Sequence, residues 1–148
     1  MKKHTVIFLC ALAGIGAAAL VLLVVRFTND FTRNIPEDIS RAAVLPMESQ
    51  LYTQEEIDAA LTVAKAYFQE HYPDCALREI GYVGDQQAMA YQDWAVRNDA
   101  DDVIVFRSAF QTGSHPAISL NANSTYERYL WILVRNEGGQ WVHADHGY

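Results

Sequence analysis

Residues 126–147 read YERYLWILVRNEGGQWVHADHG, and this stretch decides the fold of the second half of the chain. The segment from Tyr126 to Arg135 is rich in aromatic and β-branched side chains, which is typical of a strand. Asn136 to Gly139 then predict a tight turn, after which the chain returns as a second strand over residues 140–147. The sequence therefore predicts a C-terminal antiparallel β-hairpin.

Helix and strand signals alternate upstream of this hairpin. Thr53 to Glu56 match a capping box, and apolar residues then recur at helical spacing until Pro73 ends the pattern. The remaining elements are strands over residues 75–83 and 103–110 and a short helix over residues 88–98. This order predicts an α+β domain in which a curved antiparallel sheet wraps one main helix.

The N-terminal part of the chain has a different character. Thr5 to Val25 contain no charged residue, and as a helix of about 1.5 Å per residue they would cross a hydrocarbon core of about 30 Å. Two lysines precede this run and no small-x-small cleavage pattern ends it, which favours an uncleaved anchor with a cytoplasmic N-terminus. The predicted organisation is a cytoplasmic N-terminus (1–4), a transmembrane signal anchor (5–25), a juxtamembrane linker (26–50) and an extracytoplasmic domain (51–148).

Composition and charge narrow the possible partners. The 148 residues carry a net charge of −7, which disfavours binding to nucleic acid phosphates. Cys10 lies in the apolar run and Cys75 in the predicted domain, so no disulfide is expected within that domain. Gly14 and Ala18 have the small-xxx-small spacing that lets membrane helices approach closely, which permits a homodimer. The expected location is therefore a single-pass position in the cell membrane, held by the N-terminal helix.

Polar residues of the last predicted strand are the main candidates for chemistry. In a regular strand His143 and Asp145 share one face, and His146 points to the other. The two histidines would then be unable to chelate one metal, so we predict no metal site. His143 and Asp145 could form an acid–base pair if they lined a pocket, whereas structural hydrogen bonding is the alternative.

Large aromatic side chains are the candidates for a ligand or partner surface, with core packing as the alternative. These candidates are Trp94, Tyr91, Trp131 and Trp141. The sequence contains no phosphate-binding loop, dinucleotide-binding glycine pattern, nucleophile elbow or paired-cysteine metal motif. We therefore expect no cofactor.

Three motifs carry a resemblance to a known family. They are Tyr-Thr-x-Glu-Glu-Ile at 52–57, Trp-Ile-Leu-Val-Arg at 131–135, and Trp-Val-x-x-Asp-x-Gly-Tyr at 141–148. With this order of elements, residues 51–148 resemble a family of small bacterial extracytoplasmic domains of unknown function with a cystatin-like, or NTF2-like, fold. The resemblance implies a cone-shaped α+β fold, often with a pocket between helix and sheet, but it implies no catalytic residues.

These observations predict a membrane-anchored extracytoplasmic domain that is a non-enzymatic module for binding a small-molecule ligand or a protein. One alternative is a structural subunit of an envelope or secretion complex, because single-pass NTF2-like subunits of type IV secretion channels have the same plan. The other alternative is a pocket enzyme that uses His143 and Asp145.

Overall fold

The computed structural model describes residue 39, residues 41–116 and residues 120–148. The predicted cytoplasmic N-terminus (1–4) and transmembrane anchor (5–25) lie outside the described residues, as does most of the predicted linker. Among the residues that are described, no helix has the length and apolar character needed to cross a membrane.

A five-stranded mixed sheet carries one long helix on one of its faces. In chain order the elements are β1 (Ala43–Val44), α1 (Gln54–His71), β2 (Cys75–Tyr82), α2 (Asp85–Ala88), a 3₁₀ turn (Met89–Tyr91), α3 (Gln92–Arg97), β3 (Asp102–Thr112), β4 (Thr125–Arg135) and β5 (Val142–Gly147). The strands lie in the order β1-β2-β3-β4-β5. Strands β2 to β5 pair in antiparallel fashion, and β1 is parallel to β2. The predicted α+β class is confirmed.

Helix α1 begins where the capping box predicts. The Thr53 hydroxyl accepts a hydrogen bond from the backbone N–H of Glu56, and the Glu56 carboxylate accepts one from the backbone N–H of Thr53. The buried stripe of the helix consists of Ile57, Ala60, Leu61, Ala64 and Phe68. Because this stripe contacts β2, β3, β4 and β5, α1 lies across most of the sheet.

The sheet is buried on both faces, which we call the helix face and the outer face. On the helix face, Trp131 is fully buried and packs with Phe68 of α1. The outer face is covered by α3, whose Ala95 packs among Val103, Val105, Ile132 and Val134. Alternate residues of β3 and β4 therefore belong to different cores, as expected for strands with two covered faces.

Strand β1 shows that two predictions from the sequence were wrong. The sheet is not antiparallel throughout, and the linker does not extend to residue 50. Strand β1 pairs in parallel with Glu79 and Ile80 of β2, and the backbone N–H of Leu45 donates to the carbonyl of Ile80 at 2.9 Å. Ser49 Oγ then donates to Asp85 at 2.6 Å. A two-residue strand has no periodicity of its own, and its partner lies far away in sequence, so local patterns gave no sign of it. The folded region begins before residue 51.

Candidate functional site

A β-bulge in β5 determines which side chains of that strand face the helix. In the β4–β5 ladder His143 is opposite Leu133 and Asp145 is opposite Ile132, which leaves Ala144 as an extra residue. Ala144 and Ile132 belong to the outer-face cluster. The bulge thus shifts the alternation by one residue, so that His143 and His146 both lie on the helix face.

This arrangement corrects the prediction for the last strand. His146 Nδ1 lies 3.1 Å from His143 Nε2, although a regular strand would direct the two side chains to opposite faces. Asp145, opposite Ile132, lies on the other side of the strand, so it does not share a face with His143. The proposed acid–base pair of His143 and Asp145 therefore loses its geometric basis, and the two imidazoles, which we call the histidine pair, take its place.

Aromatic side chains from α1, from Tyr72 directly after it and from β4 surround the histidine pair. The Tyr67 ring stacks on the His143 imidazole, with ring centroids 3.6 Å apart and an interplanar angle of 10°. His71 packs on the same tyrosine at 4.2 Å. His146 contacts the rings of Tyr72, Tyr129 and Trp131.

The imidazoles of the pair are held in the neutral form. Burial, the adjacent His146 and, to a smaller extent, His71 lower the pKa of His143 to about 4, although Asp145 opposes the shift. Burial also lowers the pKa of His146. At neutral pH each imidazole therefore has one N–H and one nitrogen lone pair, and the two rings are hydrogen-bonded at 3.1 Å, with the donor set by the tautomer. A metal ion would replace the shared proton of this hydrogen bond.

A second polar cluster lies where the first turn of α1 meets the end of β4. The Arg135 guanidinium, 16% exposed, binds Glu56 at 2.5 Å and Asp102 at 2.9 Å, and lies 4.3 Å from the centroid of the Trp141 ring. We call these four residues the Arg135 cluster. Burial alone would lower the pKa of Arg135, but the hydrogen bonds to the two carboxylates outweigh it and raise the pKa. Tyr52 extends the cluster, since its hydroxyl donates to Asp102 and to the carbonyl of Val103.

Two clefts open beside Arg135. The first, which we call the hairpin cleft, has a volume of about 560 Å³ and lies between α1 and the β4–β5 hairpin. Its lining residues are Glu55, Glu56, Ala59, Thr62, Val63, Arg135, Gly139, Gln140 and Trp141. The second, which we call the acidic cleft, measures about 530 Å³ and is lined by Glu56, Asp101, Asp102, Arg135, Glu137 and Gly138. Glu56 and Arg135 line both clefts.

The four aromatic candidates have different surroundings. Trp131 is fully buried, and its Nε1 donates to Ser108 Oγ at 2.8 Å, so it belongs to the core and presents no surface. Trp141 is 5% exposed and lines the hairpin cleft, and its buried Nε1 has no hydrogen-bond partner. Trp94 and Tyr91 are half-buried on the outer face. The structure therefore brings Trp94 and Tyr91 to one cluster, apart from Trp131 and Trp141, and among the four only Trp141 lines either of the two clefts described above.

Sequence patterns did not identify several residues of these sites. Arg135 and Glu56 are separated by 79 positions, and Tyr67 has the spacing of an ordinary apolar stripe residue. Arg135 directly follows the apolar run of β4, and a charge in that position indicates a partly buried ion pair. This was the available sign of the Arg135 cluster in the sequence.

Within residues 39, 41–116 and 120–148, no three His, Cys, Asp or Glu side chains are arranged to hold a metal ion. No protein-family model, curated protein or solved structure matches the chain.

Proposed function

We propose that this protein is a non-enzymatic binding module that takes a small organic cation, an ammonium group on an apolar stem, into the hairpin cleft. The observation that carries the proposal is the combination of an apolar wall with an excess of carboxylates around Arg135. Ala59, Val63 and Trp141 provide the wall, and Glu55 lies at the exposed rim.

The size of the hairpin cleft suits a small molecule. Binding sites for such ligands are concave, mostly apolar and typically about 300–1,000 Å³ in volume, and the hairpin cleft has about 560 Å³. Secondary structure on both sides, α1 and the β4–β5 hairpin, fixes its walls. An apolar stem would bury its surface against Val63 and the Trp141 ring, which favours binding.

The charge of the site selects a cation in spite of the arginine. Five carboxylates (Glu55, Glu56, Asp101, Asp102 and Glu137) and one guanidinium (Arg135) line the two clefts. Arg135 is already paired with Glu56 and Asp102, so an anionic ligand would have to displace a carboxylate to reach it. Because the surplus charge is negative and the walls of a cleft focus its field, a cation is attracted to the rim while an anion is repelled.

Matched ligands test this proposal. Calorimetric titration of the full-length protein with hexylammonium and with hexanoate compares one stem with two head-group charges. We expect saturable binding of hexylammonium and none of hexanoate, because the stem is the same and only the sign of the charge differs. Equal binding of the two ligands would contradict the charge argument, and binding of neither would contradict the site.

Two pairs of variants locate the site. Ala59→Phe fills the cleft and should weaken hexylammonium binding by about tenfold or more, equivalent to about 1.4 kcal/mol. Ala66→Phe makes the same change at another exposed position of α1 outside the cleft and should have no effect. Glu55→Gln should weaken binding, whereas Glu70→Gln, at the far end of the helix, should not. Loss of binding in the Ala66 or Glu70 variant alone would place the ligand elsewhere.

The same chemistry occurs in lysine side chains of proteins, so the ligand source is tested separately. Titration with a short lysine-containing peptide and with hexylammonium compares a partner segment with a free amine. Binding of the free amine at least as tight as that of the peptide supports a small-molecule site. Binding of the peptide alone would contradict the small-molecule proposal and favour a protein partner.

The proposal includes the setting of the domain. The uncharged run at residues 5–25 and the lysines before it support a single-pass anchor with an extracytoplasmic domain. One long helix against a sheet with bulges in β2, β4 and β5 supports a cystatin-like or NTF2-like fold, since bulges bend strands. Protease treatment of intact cells should degrade residues 51–148. Protection of these residues until the cells are lysed would contradict the orientation.

A further inference from the structure

The histidine pair has the spacing of a metal chelate. Two nitrogens bound to one metal at about 2.0–2.1 Å are roughly 2.9 Å apart at a right angle and roughly 3.3 Å apart at the tetrahedral angle. His143 Nε2 and His146 Nδ1 are 3.1 Å apart, between these two values. We propose that His143 and His146 form a two-imidazole site for a divalent transition-metal ion, Cu²⁺ or Zn²⁺, on the helix face of β5.

The bulge at Ala144 creates this site. Residues three apart in a regular strand point to opposite faces, so without the extra residue the two imidazoles could not converge. The register of β4 and β5 places Ala144 between the positions that pair with Ile132 and Leu133. The convergence of the two imidazoles thus follows from the register of the backbone.

Packing against neighbouring rings holds the two ligands in place. Tyr67 covers one face of the His143 ring at 3.6 Å, while Trp131 and Tyr129 pack near His146 at 5.7 and 6.0 Å. Such supporting contacts restrict ring rotation, and restricted rings lose less entropy when a metal binds. Both histidines are half-buried, so each retains some surface exposed to solvent.

Water or His71 would fill the remaining coordination positions of the proposed metal ion. No third ligand converges on the pair among the described residues. His71, with a side chain 44% exposed, packs against Tyr67 at the end of α1, beside the pair. A change of its rotamer is the simplest way to supply a third imidazole, and open positions otherwise keep water.

The two imidazole ligands also predict which divalent metal ions bind most tightly to the histidine pair. Imidazole suits copper and zinc, and divalent ions follow an order in which Cu²⁺ binds more tightly than Zn²⁺ or Ni²⁺. Mg²⁺ and Ca²⁺ prefer oxygen ligands and should not bind to this pair. The site is separate from the hairpin cleft, so its success or failure is independent of the proposed cation-binding function.

Copper binding by the full-length protein tests the site. Titration with Cu²⁺ should show one saturable site per chain, and electron paramagnetic resonance should show hyperfine coupling to imidazole nitrogens. His143→Phe and His146→Phe should each weaken binding by about tenfold or more, because one ligand is lost. Phenylalanine keeps an aromatic ring against Tyr67, so circular dichroism should show a folded protein in both variants.

The remaining histidines are the controls. His115→Ala and His4→Ala should bind Cu²⁺ as the unchanged protein does, since neither residue belongs to the pair. His71→Ala should weaken binding less than the pair variants. The proposal is overturned if the full-length protein shows no saturable site, if both folded Phe variants keep full affinity, or if the spectrum lacks imidazole coupling.

Discussion

His146 Nδ1 lies 3.1 Å from His143 Nε2 on the helix face of β5. The contact depends on the extra residue Ala144, which shifts the alternation of the strand between the two histidines. It also brings two basic groups together in a half-buried position, where burial and His146 oppose protonation of His143 and burial opposes protonation of His146. The stability of the domain should therefore depend on pH in a window set by these side chains.

The metal-free protein should lose stability between about pH 6.5 and pH 4. The pKa of His143 is lowered from 6.5 to about 4, mainly by burial and by His146. As the pH falls below 6.5, the unfolded chain takes up a proton at this residue and the folded chain does not, so unfolding becomes more favourable. Thermal unfolding at pH 7 and pH 5, with a chelator present, should give a lower Tm at pH 5.

Substitution of His143 tests whether this residue causes the fall in Tm between pH 7 and pH 5. His143→Phe removes the titrating group and keeps a ring against Tyr67, so the fall in Tm between pH 7 and pH 5 should be smaller than in the unchanged protein. Carboxylates such as Glu56, with a lowered pKa, lose their contribution only at more acidic pH. An identical pH dependence in the variant would show that other groups cause it.

Removing the charge at the centre of the Arg135 cluster should destabilise the domain strongly. Arg135→Ala leaves Glu56 and Asp102 without their cation and exposes the Trp141 ring. Breaking a well-buried pair costs about 3–5 kcal/mol, and because both carboxylates are partly exposed we expect about 2 kcal/mol here. Arg135→Lys should be intermediate, since lysine keeps the charge but cannot bind both acids with a planar fork. Chemical denaturation measures these differences.

Arg97 provides the matched control. It also pairs with an acid, Asp93 at 2.5 Å, and lies over a tryptophan ring, Trp94 at 5.2 Å, but its side chain is 62% exposed. Exposed i,i+4 pairs contribute only about 0.3–0.5 kcal/mol. If Arg97→Ala and Arg135→Ala destabilise the protein equally, burial is not what makes the Arg135 cluster important.

The contrast between α1 and β1 shows what local sequence can predict. The capping box at Thr53 and the stripe that ends near Pro73 act over a few residues, so α1 could be located from sequence alone. Strand β1 has no such signal, because it exists through pairing with Glu79 and Ile80. Its presence depends on a tertiary contact that no local pattern encodes.

The two sites were missed for related reasons. The bulge at Ala144 has no glycine or turn residue to mark it, so strict alternation placed His146 on the wrong face. The Arg135 cluster joins residues from α1, β3 and β4 with Trp141, which directly precedes β5, so it can be recognised only once the fold is known. The sequence named Trp141 and Trp131 as candidates for a ligand or partner surface, but it gave no means of telling which of them lines a cleft and which is fully buried.

Docking of β1 should depend on the absence of a side chain at Gly81. A Cβ built there would lie 2.7 Å from the Cβ of Leu45, which is closer than real contacts allow. Gly81→Ala should therefore push the segment around Leu45 away from β2 and lower the protection of the Leu45 amide, which bonds to the carbonyl of Ile80. Hydrogen exchange measures this effect, and the amides of β3 and β4 should stay protected.

A second substitution, at Leu45, tests whether the clash with Leu45 causes the loss of amide protection in Gly81→Ala. Leu45→Gly removes the atom that the new methyl group meets, so the double variant should regain amide protection at residue 45 relative to Gly81→Ala alone. Unchanged protection in Gly81→Ala would mean that the new methyl group is accommodated while the strands stay paired, which would contradict the clash with Leu45. General loss of protection in β3 and β4 would mean that β1 supports the whole sheet.

The two buried tryptophans should respond differently to the same substitution. Trp131→Phe removes the N–H that donates to Ser108 Oγ and leaves a hole in the fully buried core, so it should destabilise the domain by about 2 kcal/mol. Trp141→Phe removes an N–H that has no partner, and a ring remains beneath Arg135, so its cost should be below about 1 kcal/mol. Denaturant midpoints of the two variants provide the comparison. A cost for Trp141→Phe as large as that for Trp131→Phe would indicate that the indole N–H of Trp141 finds an acceptor in solution.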